Sequence, residues 1–154
     1  MRLTEDVDVS VALAPDEAGA FLTYLPSVGF EILVDDPGTF LRETFVLPVL
    51  DTVSKIRIDL VFTSSEYERG AIARARKVII DGETISYITP DDLVVVKIIA
   101  GRPRDIDDVR SVIDRQKLDL AHIRKWLKLF DDELGEDYEE RLLSLLPKKS
   151  AGSL

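Results

Sequence analysis

The sequence predicts an α/β chain of the α+β kind, with a mixed β-sheet core and a C-terminal helical lobe. Two patterns predict it. Up to residue 88, short β-branched runs with period-two alternation interleave with helical apolar spacing; from residue 105 onward the spacing is helical throughout. A chain of 154 residues, 45% hydrophobic and 32% charged, has room for one folded unit with a proper core. We therefore expect a single domain over residues 1–147, divided into a sheet core at 1–101 and a helical lobe at 102–147, then a flexible polar tail at 148–154.

The first strand is read in residues 3–13, where Val7, Val9 and Val11 face one way and Asp6 and Asp8 the other. Pro15, Asp16 and Glu17 open a helix, since proline suits a first turn and acids suit the positive end of the helix dipole. Ala18, Phe21, Leu22 and Leu25 continue it until Pro26 and Gly29 end it. Residues 30–34 read as a strand, Asp35-Asp36-Pro37-Gly38 as a turn, and residues 40–50 as another strand in which Pro48 marks an edge or a bulge. Residues 55–62 alternate most cleanly, with Ile56, Ile58, Leu60 and Phe62 on one face and Arg57 and Asp59 on the other. Ser65 and Glu68 form a capping box for a helix running to about Arg76.

Residues 77–80 and 84–88 form a hairpin about Asp81-Gly82, a type I′ turn signal. Thr89-Pro90-Asp91-Asp92 opens a helix that is apolar nearly all round and therefore buried, and Gly101 closes it. Ile106, Val109, Val112 and Ile113 mark the next helix. Asp119 caps another, with Leu120, Ile123, Leu127 and Phe130 inward and Gly135 at its end; a last helix spans about 136–146.

The totals exclude several classes of function. A net charge of −9 argues against an extended nucleic-acid surface, which relies on many Lys and Arg replacing counterions, though one phosphate group needs only a few cations or a metal. The absence of cysteine removes disulfides, thiolate metal sites and a cysteine nucleophile, and fits a reducing cytoplasm, where we expect the protein. No apolar run approaches the ~20 residues that span a bilayer, so no membrane role is expected.

Asp6 and Asp8, side by side on one strand face, repel unless something positive lies between them; the usual remedy is a divalent cation, and Mg²⁺ takes oxygen ligands of this kind. Asp59, on the polar side of its own strand, joins them if the two strands are neighbours. The plainer reading of all three is the wet face of half-solvated strands. Lys97 sits amid Val94, Val95, Val96, Ile98 and Ile99, where an unpaired ammonium is costly to bury. An ion pair with Asp105 or Asp108 across the Gly101-Arg102-Pro103 turn and a contact with phosphate oxygens both answer that cost. His122, the only histidine, is read as a surface or packing residue, Trp126 as core or lobe interface, and Ser64 and Ser65 as caps.

Three blocks in order carry a resemblance: Thr4-Glu5-Asp6-Val7-Asp8, then Arg57-Ile58-Asp59-Leu60, then Lys97-Ile98-Ile99-Ala100-Gly101-Arg102-Pro103-Arg104-Asp105-Ile106-Asp107-Asp108. Together they resemble the minimal nucleotidyltransferases of the DNA polymerase β-like superfamily, most nearly the branch of the AbiEii toxins, over residues 3–113. The resemblance implies a nucleotidyltransferase-like sheet core. It also implies that Asp6 and Asp8 hold Mg²⁺ and the triphosphate of an NTP, with Asp59 as third metal ligand and catalytic carboxylate, and that Lys97, Arg102, Arg104 and Asp105 lie near the nucleotide. In-line attack on the α-phosphorus spreads charge over phosphate oxygens, and two metals about 3.5–4 Å apart can hold the attacking and leaving oxygens.

Members of that superfamily carry a Gly-Ser or Gly-Gly turn on a helix ahead of the paired aspartates, and only five residues precede Asp6 here. The expectation is a chain shortened at its N-terminus, with exposed sheet that a partner protein or a second copy covers. Two functions follow: NMP transfer from an NTP to an acceptor hydroxyl that the sequence does not name, or an inactive interaction module of this fold within a toxin–antitoxin pair. A metal-dependent phosphohydrolase or nuclease also uses aspartates, but this chain lacks the histidines such sites often add.

Overall fold

The computed structural model describes residues 6–147, with only the backbone of Asp6; the expected tail at 148–154 and the beginning of the first predicted strand lie outside them. The chain is a mixed α+β structure, as expected, and forms two compact units, Met1–Ala73 and Arg74–Leu154.

The first unit is built on a four-stranded sheet of β1 (Asp6–Val11), β2 (Phe30–Ile32), β3 (Val46–Asp51) and β4 (Arg57–Phe62), in the spatial order β1-β4-β3-β2. β1 runs parallel to β4, whereas β3 pairs antiparallel with both β4 and β2. The alternation read from the sequence decides which face is buried. Leu47, Val49, Leu60 and Phe62 are buried on one side with Ala18, Leu25 and Leu41, and Phe21 meets Phe62 edge to face at 5.9 Å between ring centroids. Burying a side chain such as Phe62 contributes about 2 kcal/mol. The helical segment that Pro15 opens comes in short pieces: a 3₁₀ turn, helix α1 (Gly19–Tyr24) and a second 3₁₀ turn ended by Gly29 at φ 93°.

Residues 37–50 depart from expectation. The predicted turn at Asp35-Asp36-Pro37-Gly38 instead begins helix α2 (Pro37–Thr44), and only its continuation, β3, is strand. Asp36 is an N-cap whose Oδ1 accepts the Thr39 N–H at 3.1 Å, Pro37 sits in the first turn, and Phe45 closes the helix in the left-handed region at φ 60°. Asp36-Pro37 suits a helix opening as well as a turn, and the helix is what forms. Nor is Pro48 on an edge or in a bulge, for β3 lies between β4 and β2. Its carbonyl accepts the Leu33 N–H at 3.0 Å, so its nitrogen also faces the β2 side, where the ladder has already ended at the Ile32–Val49 pair. A short β2 makes the missing donor harmless.

Helix α3 (Glu66–Ala73) has the predicted capping box: Glu68 N–H donates to Ser65 Oγ at 3.2 Å, and Glu68 Oε2 accepts the Ser65 N–H at 2.9 Å. It stops before Arg76, which already belongs to the next strand.

The second unit opens with the hairpin of β5 (Arg76–Ile80) and β6 (Glu83–Tyr87). Asp81 and Gly82 both take positive φ, 51° and 87°, as a type I′ turn requires. Four helices follow: α4 (Pro90–Ala100), α5 (Pro103–Arg115), α6 (Leu120–Leu134) and α7 (Tyr138–Leu145). α4 packs against the other three, and Val94, Val95, Ile98, Val109, Ile123, Leu127 and Leu142 are fully buried. Leu120, expected inward, is exposed at the first turn of α6. α7 lacks a side-chain cap of its own, and Asp131 of α6 supplies one by accepting the Tyr138 and Glu139 N–H groups. Among the described residues no helix is long and apolar enough to cross a membrane.

Candidate functional site

The parallel pairing of β1 with β4 sets Asp8 directly opposite Asp59 and Asp6 opposite Arg57. Paired positions in a sheet share a face, about 4.8 Å apart, so Asp8 and Asp59 are neighbours on the face turned away from the core. The neighbouring strands that the sequence reading required are therefore present, and Asp6 occupies the next register position on that face. Asp8 is exposed, whereas Asp59 is partly sheltered beside buried Pro48 of β3. Arg57 reaches along its own strand, its Nε and Nη2 both 3.2 Å from Asp59 Oδ1. The alternation showed that these two residues share a face; the ion pair is new.

Among the described residues, no three His, Cys, Asp or Glu side chains cluster as a metal site. What β1 and β4 offer is a pair of hard carboxylates on an open face. That donor set fits Mg²⁺, which keeps several waters and takes one or two carboxylates together with phosphate oxygens. Asp8 and Asp59 are the residues that would hold the ion, with Asp6 beside them in register.

Within the second unit the structure joins Lys97, Arg102 and Asp105, and adds Asp108. Lys97 Nζ lies 3.2 Å from Asp105 Oδ1 and 2.7 Å from Asp108 Oδ2. Arg102 grips the same Asp105 through Nε at 2.5 Å and Nη2 at 3.3 Å. Asp105 is almost fully buried; the Arg102 hydrogen bonds, helped by Lys97, outweigh burial and hold its carboxyl below the ordinary range. Lys97 thus finds its partners inside the fold, clamping α4 to α5 across the Gly101 turn. Arg104 does not join the cluster; it is exposed on the first turn of α5.

A family model described as a nucleotidyltransferase of unknown function, DUF6036, matches residues 1–143. The chain belongs to this nucleotidyltransferase family. The match runs from the first residue into α7 and so includes all three blocks of the resemblance. No curated protein matches this DUF6036 chain.

The DUF6036 chain also holds a buried carboxylate that sequence reasoning treated only as a helix-opening acid. Asp92, fully buried, takes Arg74 Nη2 on Oδ1 at 2.8 Å and Arg74 Nε on Oδ2 at 3.2 Å. Thr89 Oγ1 lies 2.9 Å from Oδ2 and His122 Nε2 3.3 Å from Oδ1. Burial opposes ionisation of Asp92, yet these hydrogen bonds outweigh it and hold the carboxyl below the usual range. The available signal was an acid three residues past a Thr cap, at the head of a helix buried on nearly every side. His122 is thus a packing residue with a specific partner.

Proposed function

We propose that this DUF6036 chain is a Mg²⁺-dependent nucleotidyltransferase that moves a nucleoside monophosphate from an NTP to an acceptor hydroxyl. The single observation supporting it is the pairing of Asp8 with Asp59 on the open face of β1 and β4, in a chain of a nucleotidyltransferase family. Bound there, Mg²⁺ would supply charge neutralisation and polarisation of the phosphate oxygens. Asp59 is the proposed acceptor of the hydroxyl proton. As that oxygen bonds to the α-phosphorus, the α–β bridging bond breaks and pyrophosphate leaves with its electron pair. Arg57, now on Asp59 Oδ1, is within the same face to meet phosphate charge once the carboxylate turns to metal or proton. Within the second unit, Lys97 and Asp105 hold in place the turn that carries the exposed Arg102 and Arg104.

The test is titration calorimetry with each Mg²⁺-NTP, together with transfer of label from α-labelled NTP onto protein, RNA ends and small alcohols. Saturable binding that Asp8→Asn and Asp59→Asn abolish is the expected result. No binding of any nucleotide by the wild-type chain would overturn the proposal.

A second reading rests on a different observation. Val7 and Val9, on the apolar face of edge strand β1, are 46% and 40% exposed, and Ile56 just before β4 is also exposed. A partner over this edge suits an inactive interaction module of this fold within a toxin–antitoxin pair. Co-purification of a stoichiometric partner, with no nucleotide binding, would select it.

A further inference from the structure

The β5–β6 hairpin carries an apolar surface that neither the proposed chemistry nor the helical packing uses. All ten of its strand residues are exposed. Its register pairs Arg76 with Tyr87, Val78 with Ile85 and Ile80 with Glu83, so these six side chains share one face of the ribbon. On that face Val78, Ile80, Ile85 and Tyr87 are between 37% and 47% exposed. A two-stranded ribbon is marginal alone in water and is normally steadied by packing on one face.

The charges on this face identify its occupant. Arg76 stands at the open end on β5 and Glu83 at the turn end on β6, diagonally opposed and too far apart to neutralise each other. Neither is ion-paired among the described residues. Consider a second ribbon stacked on the first by a two-fold axis perpendicular to the strands, so that the turn of each lies over the open end of the other. Val78 then stacks on Val78 of the second copy and Ile85 on Ile85. Arg76 of each copy comes beside Glu83 of the other, one strand spacing away, at both ends. The alternative two-fold axis, along the strands, brings Arg76 beside Arg76 and Glu83 beside Glu83. Only the antiparallel stack is self-complementary, as an isologous interface must be.

We infer that this hairpin face is a homodimer interface, in which two ribbons stack antiparallel over Val78, Ile80, Ile85 and Tyr87 with reciprocal Arg76–Glu83 ion pairs. The surface is small, so the dimer is a reversible one whose population rises with concentration. It shares no residue with the β1 edge and is independent of whether the chain transfers nucleotides.

Sedimentation velocity over a concentration series tests it, using wild type, Arg76→Glu, Glu83→Arg, the double charge swap, and an equimolar mixture of the two single variants. Either single substitution puts like charges at both ends and should raise the dissociation constant by about tenfold or more. The double swap and the mixture restore opposite charges and should recover the dimer. Because both positions are exposed, thermal melts of all variants should match wild type. A wild type that stays monomeric at every concentration, a dimer indifferent to the single substitutions, or singles not rescued by the swap would each overturn the inference.

Discussion

Asp8 and Asp59 are cross-strand partners in a parallel ladder, so two carboxylates more than fifty residues apart in the chain share one face of the sheet a strand spacing apart. Like charges directly opposite are destabilising unless compensated. Asp8→Asn should therefore leave the melting temperature of the metal-free protein unchanged or raised. It should also weaken Mn²⁺ or Mg²⁺ binding by at least roughly tenfold, the lower end of the loss seen even for residues that only support metal ligands. Differential scanning fluorimetry in chelator and titration calorimetry measure the two effects. A fall in melting temperature with unchanged metal affinity would make Asp8 structural.

Arg57 occupies Asp59 Oδ1, the oxygen that the proposed metal would take. In Arg57→Met that oxygen is released, and affinity for Mn²⁺ without nucleotide should rise by up to roughly fivefold, the worth of an exposed ion pair. Affinity for the metal–nucleotide complex should fall in the same variant if Arg57 meets phosphate. Opposite signs for the two ligands are the diagnostic result.

Gly101 combines a left-handed backbone, φ 63°, with close approach of another residue: a Cβ there would lie 2.6 Å from Arg141 Nη1. The same Arg141 nitrogen donates to the Ile98 carbonyl at 2.7 Å, closing the end of α4. Gly101→Ala therefore pays for φ and also displaces Arg141, and should cost about 2–3 kcal/mol. Gly135→Ala, at φ 69° with nothing within 4 Å, meets the backbone cost alone, about 1 kcal/mol. Urea unfolding of the two variants separates the contributions.

The buried carboxylates set an acid limit. Both Asp92 and Asp105 have pKa values lowered by folding, so each contributes stability fully present above the unfolded value, near 4, and lost as pH falls through the lower folded value. As far as these groups act, stability should be flat between about pH 7 and 5 and fall below about pH 4. Asp92→Asn should cost about 2 kcal/mol at neutral pH, less than for a fully buried pair because Arg74 and His122 keep some contact with water. Both Asp92→Asn and Asp105→Asn should flatten the acid limb in urea titrations at several pH values.

Alternation alone determined the apolar and polar faces of β1 and β4, because side chains on a strand switch sides at every residue whatever the strand pairs with. Caps did the same for helix starts at Ser65, Thr89 and Asp119, and the Asp81-Gly82 turn and the Gly101 and Gly135 stops were equally legible, since each depends on local backbone chemistry. The polar residues Asp8, Asp59 and Lys97 were thus identifiable one by one from the sequence. Tertiary structure decided what each one meets. Only the parallel β1–β4 register puts Asp8 against Asp59, only packing of α4 on α5 commits Lys97 to Asp105 and Asp108, and only burial turns Asp92 from a helix-opening acid into the hub of Arg74, Thr89 and His122. It also decided the places where local signals conflicted, making residues 37–44 a helix and seating Pro48 in an inner strand. The physical reason is common to all of these: a local pattern fixes the direction of a side chain, while its partner is fixed by strand order and helix packing between segments far apart in sequence.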